Sequence, residues 1–152
     1  MRYLAYGSNI DDRNMAEFSE TAQPLGPGRL GGYRLEFNVY SDRWGGGAAN
    51  IEPDEDGHVW GLVWAVEPED VERLDTYEGH PTFYRREEVR VALGDEITTC
   101  VTYRVAHQSG FVRPSDQYLN MVRSAMRVHG LPPEALDMLE AAARPPKPRI
   151  ST

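Results

Sequence analysis

Two short stretches hold residue types that can do chemistry. Near the front, Tyr6-Gly7-Ser8-Asn9 follows the apolar run YLA, and further on residues 74–86 read LDTYEGHPTFYRR. A strand that stops on Gly-Ser ahead of a helix leaves backbone N–H groups unpaired, and these, with the helix dipole, favour an anion such as a small carboxylate. Gly7 lets a ligand approach the backbone closely, and Ser8 and Asn9 add side-chain hydrogen bonds. The same residues also suit a plain turn at Gly7 with Ser8 or Asn9 capping the helix. In the second stretch the carboxylate is Glu78, at the expected C-terminal end of a helix and directly before the helix-stopping Gly79. The negative end of the helix dipole disfavours its ionised form, and burial beside Tyr77, Phe83 or Tyr84 pushes the same way. Both effects raise its pKa from about 4.3 toward the range useful to a general base. Arg85 and Arg86 would reverse this if they pointed at it, and a solvated surface glutamate is the plain alternative.

Other catalytic kits are missing. There is no GxSxG elbow, no P-loop and no HExxH. His58, His80, His107 and His129 are scattered singly, so each reads as a surface or packing histidine and no metal site is expected. Cys100, the single cysteine, sits mid-strand in TTCVTY, where a buried, inert thiol is the ordinary reading; it excludes an intramolecular disulfide. Ser8 has no base beside it in sequence. Carboxylates and backbone amides remain.

The elements that must position them follow from periodicity. Residues 2–6 read as a short buried strand, and Asn9 or Asp11 caps a short helix with Met15 and Phe18 facing inward. PLGPG at 24–28 reads as a loop. Residues 29–40 alternate, with Tyr33, Leu35, Phe37 and Val39 on one face of a strand. The run Gly45-Gly46-Gly47 reads as a turn or a close backbone approach, and DRWGGGAAN around it as a candidate wall for part of a ligand. HVWGLVWAV at 58–66 is a central strand, kinked or closely approached at Gly61. Pro68 opens a helix carrying Val71, Leu74 and Tyr77. Strands follow over about 83–93 and 96–105, hinged at Gly94-Asp95. Ser115 caps a helix over about 116–129 with Tyr118, Val122, Ala125 and Met126 on one face, and Pro132-Pro133 opens another over about 133–143. Many strands, a helix within the run and terminal helices make an α+β domain on an antiparallel or mixed sheet that can close into a barrel.

The totals bound the function. The chain of 152 residues has the size of one domain, with a net charge of −8. That balance makes nucleic acid an unsuitable partner. No apolar run approaches the roughly 20 residues of a membrane helix, and the N-terminus does not read as a signal peptide, so no membrane partner and a cytoplasmic location are expected. Residues 1–143 read as the domain and 144–152 as a proline-rich basic tail; the sequence leaves a homodimer open.

YLAYGSNI, HVWGLVWAV and LDTYEGHPTFYRR resemble the gamma-glutamylcyclotransferase-like (AIG2-like) family, and PSDQYLNMVRSAMRVHGLPPEAL extends the resemblance to most of residues 1–143. The resemblance implies a mixed β-sheet closed into a small barrel with flanking helices. It implies a small γ-glutamyl substrate whose own α-amine attacks its γ-carbonyl, releasing an amine and 5-oxoproline with no cofactor. It assigns Glu78 as general acid/base and Tyr3, Leu4, Ala5, Tyr6, Gly7, Ser8, Tyr84 and Tyr118 as substrate-binding positions, with Asn9 shaping the loop. Members of the family differ in leaving group, being free amino acids, amines or tethered biosynthetic intermediates. A non-catalytic binding module is the remaining alternative.

Overall fold

The computed structural model describes residues 1–78, 83–105 and 110–146. The expectations at Gly79, His80, His107 and the tail from residue 147 lie outside the described residues. Five strands form the sheet: β1 (Arg2–Ala5), β2 (Gln23–Ser41), β3 (Gly46–Ala65), β4 (Tyr84–Leu93) and β5 (Glu96–Val105). They close into a barrel in the order β1-β3-β2-β4-β5, with β1 and β5 parallel and the other neighbours antiparallel. Among the described residues four α-helices flank it: α1 (Asp12–Ala16), α2 (Pro68–Glu78), α3 (Asp116–Val128) and α4 (Pro133–Ala142). The mixed barrel is the fold expected above. None of the helices is long and apolar enough to cross a membrane.

Strands β2 and β3 are much longer than the alternating cores at 29–40 and 58–66. PLGPG is no loop: Gly26 pairs with Val63, Pro27 with Leu62 and Gly28 with Gly61. Prolines lack the N–H a ladder needs, and the register slips between Pro24 and Gly26, an irregularity that lets the strand carry them. The last of three slips, between Glu36 and Val39, breaks the alternation, so Phe37, Asn38 and Val39 are buried in succession. Gly45 stands in the β2–β3 turn, and β3 already begins at Gly46.

The core is continuous from the barrel interior to the helices. Leu4, Val59, Val63 and Val91 fill the barrel, and Met15, Leu74, Val122, Met126 and Leu139 of α1 through α4 join the same core. Tyr77, placed by spacing on the inner face of α2, is instead 45% exposed. Cys100 is buried as expected, and burial pushes its thiol up to about 11.

Gly61 has the close approach its place in an apolar strand implied. A Cβ there would stand 2.4 Å from the Ala5 carbonyl oxygen and 2.9 Å from Leu4 Cδ1. The β1–β3 pairing, which delivers the YGSN segment, depends on that contact. Gly61→Ala should therefore cost about 3 kcal/mol, lowering Tm by roughly 10 °C in a chain of this size. A melting curve within a degree or two of the parent would contradict this packing.

Candidate active site

Tyr6 to Asn9 leave the barrel between β1 and α1. Ser8–Ile10 form a single 3-10 turn, closed by Ile10 N–H donating to the Gly7 carbonyl at 3.1 Å. No helix dipole focuses on Gly7, because α1 starts later and is capped by Asp11, whose side chain accepts from Asn14 N–H at 3.1 Å. Capping therefore falls to Asp11, and Ser8 and Asn9 are released from it. Asn9 is buried and braces the turn: its Nδ2 donates to the Tyr3 hydroxyl at 3.1 Å, and its carbonyl accepts from Trp64 Nε1 at 2.9 Å.

Opposite this turn stands Glu78, the last residue of α2. The two meet across a cavity of about 300 Å³, lined by Tyr3, Tyr6, Gly7, Ser8, Asn9, Glu78, Tyr84 and Tyr118 among others. Leu4 and Ala5 do not line it. Both are buried, with Leu4 pointing into the barrel, and the Leu4 carbonyl accepts from Thr102 Oγ1 at 2.8 Å. Alternation along β1 sends Tyr3 to the cavity and Leu4 away from it. Their contribution is to hold the strand.

Glu78 is half-buried, and its carboxyl makes no hydrogen bond or ion pair among the described residues. Desolvation pushes it up to about 7. Arg86, which might have held it ionised, pairs with Asp75 at 2.5 Å. Four tyrosines surround the carboxyl: burial, and then in part the Glu78 charge, raise the hydroxyls of Tyr3, Tyr6 and Tyr84, and Tyr118 to about 12. At neutral pH all four keep their protons.

The Tyr118 hydroxyl is placed most tightly. It accepts from Ala49 N–H at 3.1 Å, which leaves its own proton free to donate. Tyr6 donates to the Tyr103 carbonyl, which fixes the ring against β5. The site can thus offer oriented hydroxyl donors, a backbone turn and one base of near-neutral pKa.

The DRWGGGAAN stretch supplies part of the remaining wall, as its sequence suggested: Asp42 and Trp44 from the β2–β3 turn and Ala48 and Ala49 from β3. Tyr40 and Ser41 from the end of β2, and Thr102 and Tyr103 from β5, complete it without a local sequence signal. Arg43 ties this wall to the helices: it donates to the Tyr77 hydroxyl at 2.9 Å and to Asn14 Oδ1 at 3.1 Å, pairs with Glu17 at 3.1 Å, and lies 5.0 Å over the Trp44 ring. Arg43→Ala should loosen the wall beside Glu78, raising KM about 5-fold with kcat changed less than 2-fold, as expected for lost positioning rather than lost chemistry. Steady-state kinetics would check it, and an unchanged KM would contradict it.

Comparison with known proteins follows the same outline. The profile of the family described as gamma-glutamyl cyclotransferase, AIG2-like matches residues 3–122. Mouse and human gamma-glutamylcyclotransferase are each 32% identical over 146 residues, 91% of this chain and 77% of theirs. A solved structure of a gamma-glutamyl cyclotransferase superposes with a TM-score of 0.87 at 28% identity, covering 99% of this chain and 92% of that one.

Proposed function

The chain belongs to the gamma-glutamyl cyclotransferase, AIG2-like family, and from that premise we propose that its cavity cyclises a γ-glutamyl amide with Glu78 as the proton carrier. The observation that carries the reading is a half-buried carboxyl pushed up to about 7, without a partner among the described residues, lining one cavity with the Gly7-Ser8 turn.

The substrate folds so that its α-nitrogen meets its own γ-carbonyl. As carboxylate, Glu78 takes a proton from the α-ammonium and frees the lone pair. The new N–C bond forms, and the carbonyl oxygen gathers negative charge. Tyrosine hydroxyls and the turn's N–H groups are the donors at hand for that oxygen and for the α-carboxylate. The old C–N bond then breaks as Glu78 passes its proton to the leaving nitrogen. The attacking nitrogen gives up two protons in all, and the released amine gains both as it becomes an ammonium in water. No water is consumed. The barrel contributes by holding the chain in a near-ring, since proximity supplies much of the rate of an intramolecular closure.

Incubating the protein with γ-glutamyl amino acids and γ-glutamyl amines and following 5-oxoproline by mass spectrometry tests the reading. Product is expected from at least one of them. A ligand-induced thermal shift with no product from any would leave a binding module instead.

A further inference from the structure

The glycine run of the β2–β3 hairpin holds two kinds of glycine. Gly45 has φ 65°, a left-handed conformation that the turn itself requires. Gly46 and Gly47 lie outside that region, so their backbone would accept a side chain. What excludes one is the segment 112–114, which lies across them. A Cβ on Gly47 would stand 2.0 Å from the Val112 carbonyl oxygen, and one on Gly46 would stand 2.8 Å from the Arg113 carbonyl oxygen and 2.9 Å from the Ser115 nitrogen. Two hydrogen bonds fasten the segment to the hairpin. Gly47 N–H donates to the Arg113 carbonyl at 2.8 Å, and Val112 N–H donates to the Phe37 carbonyl at 2.8 Å. Phe37 lies in the register slip between Glu36 and Val39, where β2 leaves its ladder with β3 and a carbonyl is freed for this bond.

The segment runs straight into α3. Ser115 caps that helix, and Tyr118 stands in its first turn, its N–H donating to Ser115 Oγ at 3.2 Å. The Tyr118 ring returns to the same hairpin. It stands edge-on to Phe37 and Trp44, with 6.0 and 5.5 Å between ring centres, and its hydroxyl accepts from Ala49 N–H. The hairpin thus holds the segment at one end and the hydroxyl at the other. We propose that Gly46 and Gly47 are positioning residues: their bare backbone seats residues 112–114, and that seat sets where the Tyr118 hydroxyl stands in the cavity. This rests on the cyclotransferase reading above, in which that hydroxyl is a donor to the substrate. Neither glycine lines the cavity, although Trp44 and Ala48 on either side do. A methyl group under the segment must lift it by about half an ångström to restore ordinary contact, and the start of α3 moves with it. The expected loss of turnover is about 10-fold, since a misplacement of ~1 Å can cost about 10²-fold.

A double-mutant cycle with Tyr118→Phe tests this, with kcat/KM read on the γ-glutamyl amide that the wild type turns over best. Gly46→Ala is expected to lower kcat/KM about 10-fold in the wild-type background and less than about 2-fold in the Tyr118→Phe background, where no hydroxyl is left to misplace. Tm should fall in both backgrounds, because the clash with the segment is the same in each. A purely structural seat would give the same fold-loss of activity in both backgrounds, and that result would overturn the inference. Gly46→Ala with wild-type kcat/KM would overturn it as well. Should Gly46→Ala fail to fold, Val112→Pro takes its place in the cycle: it removes the N–H that bonds the Phe37 carbonyl and adds no bulk beneath the segment, and the same coupling to Tyr118→Phe is expected. If neither variant folds, the seat serves the fold as a whole and the inference fails. Absence of 5-oxoproline from the wild type with every γ-glutamyl amide would instead overturn the cyclotransferase reading, and this inference with it.

Discussion

Glu78→Gln is expected to lower kcat by about 10²–10⁴-fold, the contribution of a positioned proton carrier, while the protein folds and melts at a higher temperature than its parent. The two effects have one cause. Desolvation lifts the Glu78 carboxyl from 4.5 to about 7, which places its charge change where a base at neutral pH is useful. The same shift costs stability. Between the unfolded value near 4.5 and the folded value near 7, the native state holds a proton that the unfolded chain has released. The contribution of the neutral carboxyl is thus complete below the unfolded value, shrinks as pH rises through that window, and is lost above it. At pH 8 the amide of glutamine avoids that charge, so the variant should gain about 1–2 kcal/mol, the full shift being discounted because the residue keeps some contact with solvent. That is about 4 °C in Tm for a chain of this length. The wild-type kcat/KM should rise with pH through a midpoint near 7, and the melting difference between the two proteins should vanish by about pH 4. A variant that loses activity and stability together would mean that Glu78 is a structural residue.

Gly7→Ala should be nearly as damaging, for a steric reason. A Cβ at this position would stand 2.8 Å from the Tyr118 hydroxyl and 3.2 Å from Ala49 Cβ. The hydroxyl is held by Ala49 N–H at 3.1 Å, so the ring cannot move without breaking that bond. The turn or the ring must give, and with either goes the donor set facing Glu78. A loss of about 10²-fold in kcat/KM is expected, the size of one misplaced donor at a developing oxyanion, with a stability cost of about 1–2 kcal/mol. Tyr118→Phe removes the atom that clashes. The double variant should recover part of the lost stability and none of the lost activity, because the missing hydroxyl is itself one of the donors. Full activity in Gly7→Ala would contradict the tight placement of this turn.

What was legible in the sequence is what local chemistry encodes. Ser115 caps α3, accepting from Tyr118 N–H at 3.2 Å, and Gly94-Asp95 hinges β4 and β5, because caps and tight turns need particular residues at particular offsets. The Gly-Ser turn and the helix-terminal glutamate each kept a plain structural reading on local residues, and the family resemblance put them in one site. The long arms of β2 and β3 were not. Pro24, Pro27 and the polar run 53–57 carry the composition of loops, and they join the strands only because the closing barrel supplies partners and bulges absorb their misfit. The outer wall was legible in part: the DRWGGGAAN stretch supplies Asp42, Trp44, Ala48 and Ala49, whereas Thr102 and Tyr103 lie far along the chain and barrel closure brings them to it. Tyr77 shows the limit of helical periodicity. Its spacing puts it with Val71 and Leu74, yet it stacks on Phe18 at 4.8 Å and opens to solvent at the cavity mouth, where Arg43 bonds its hydroxyl.

The most direct test of intramolecular cyclisation at Glu78 is turnover of a γ-glutamyl amide in oxygen-18 water, with wild type and Glu78→Gln compared side by side. The mechanism predicts 5-oxoproline free of the heavy isotope from the wild type and almost none from the variant, since the attacking atom is the substrate's own nitrogen. Glutamate labelled in its γ-carboxyl would mean that water attacks and the cavity hydrolyses; equal unlabelled product from both proteins would mean that the proton moves without Glu78.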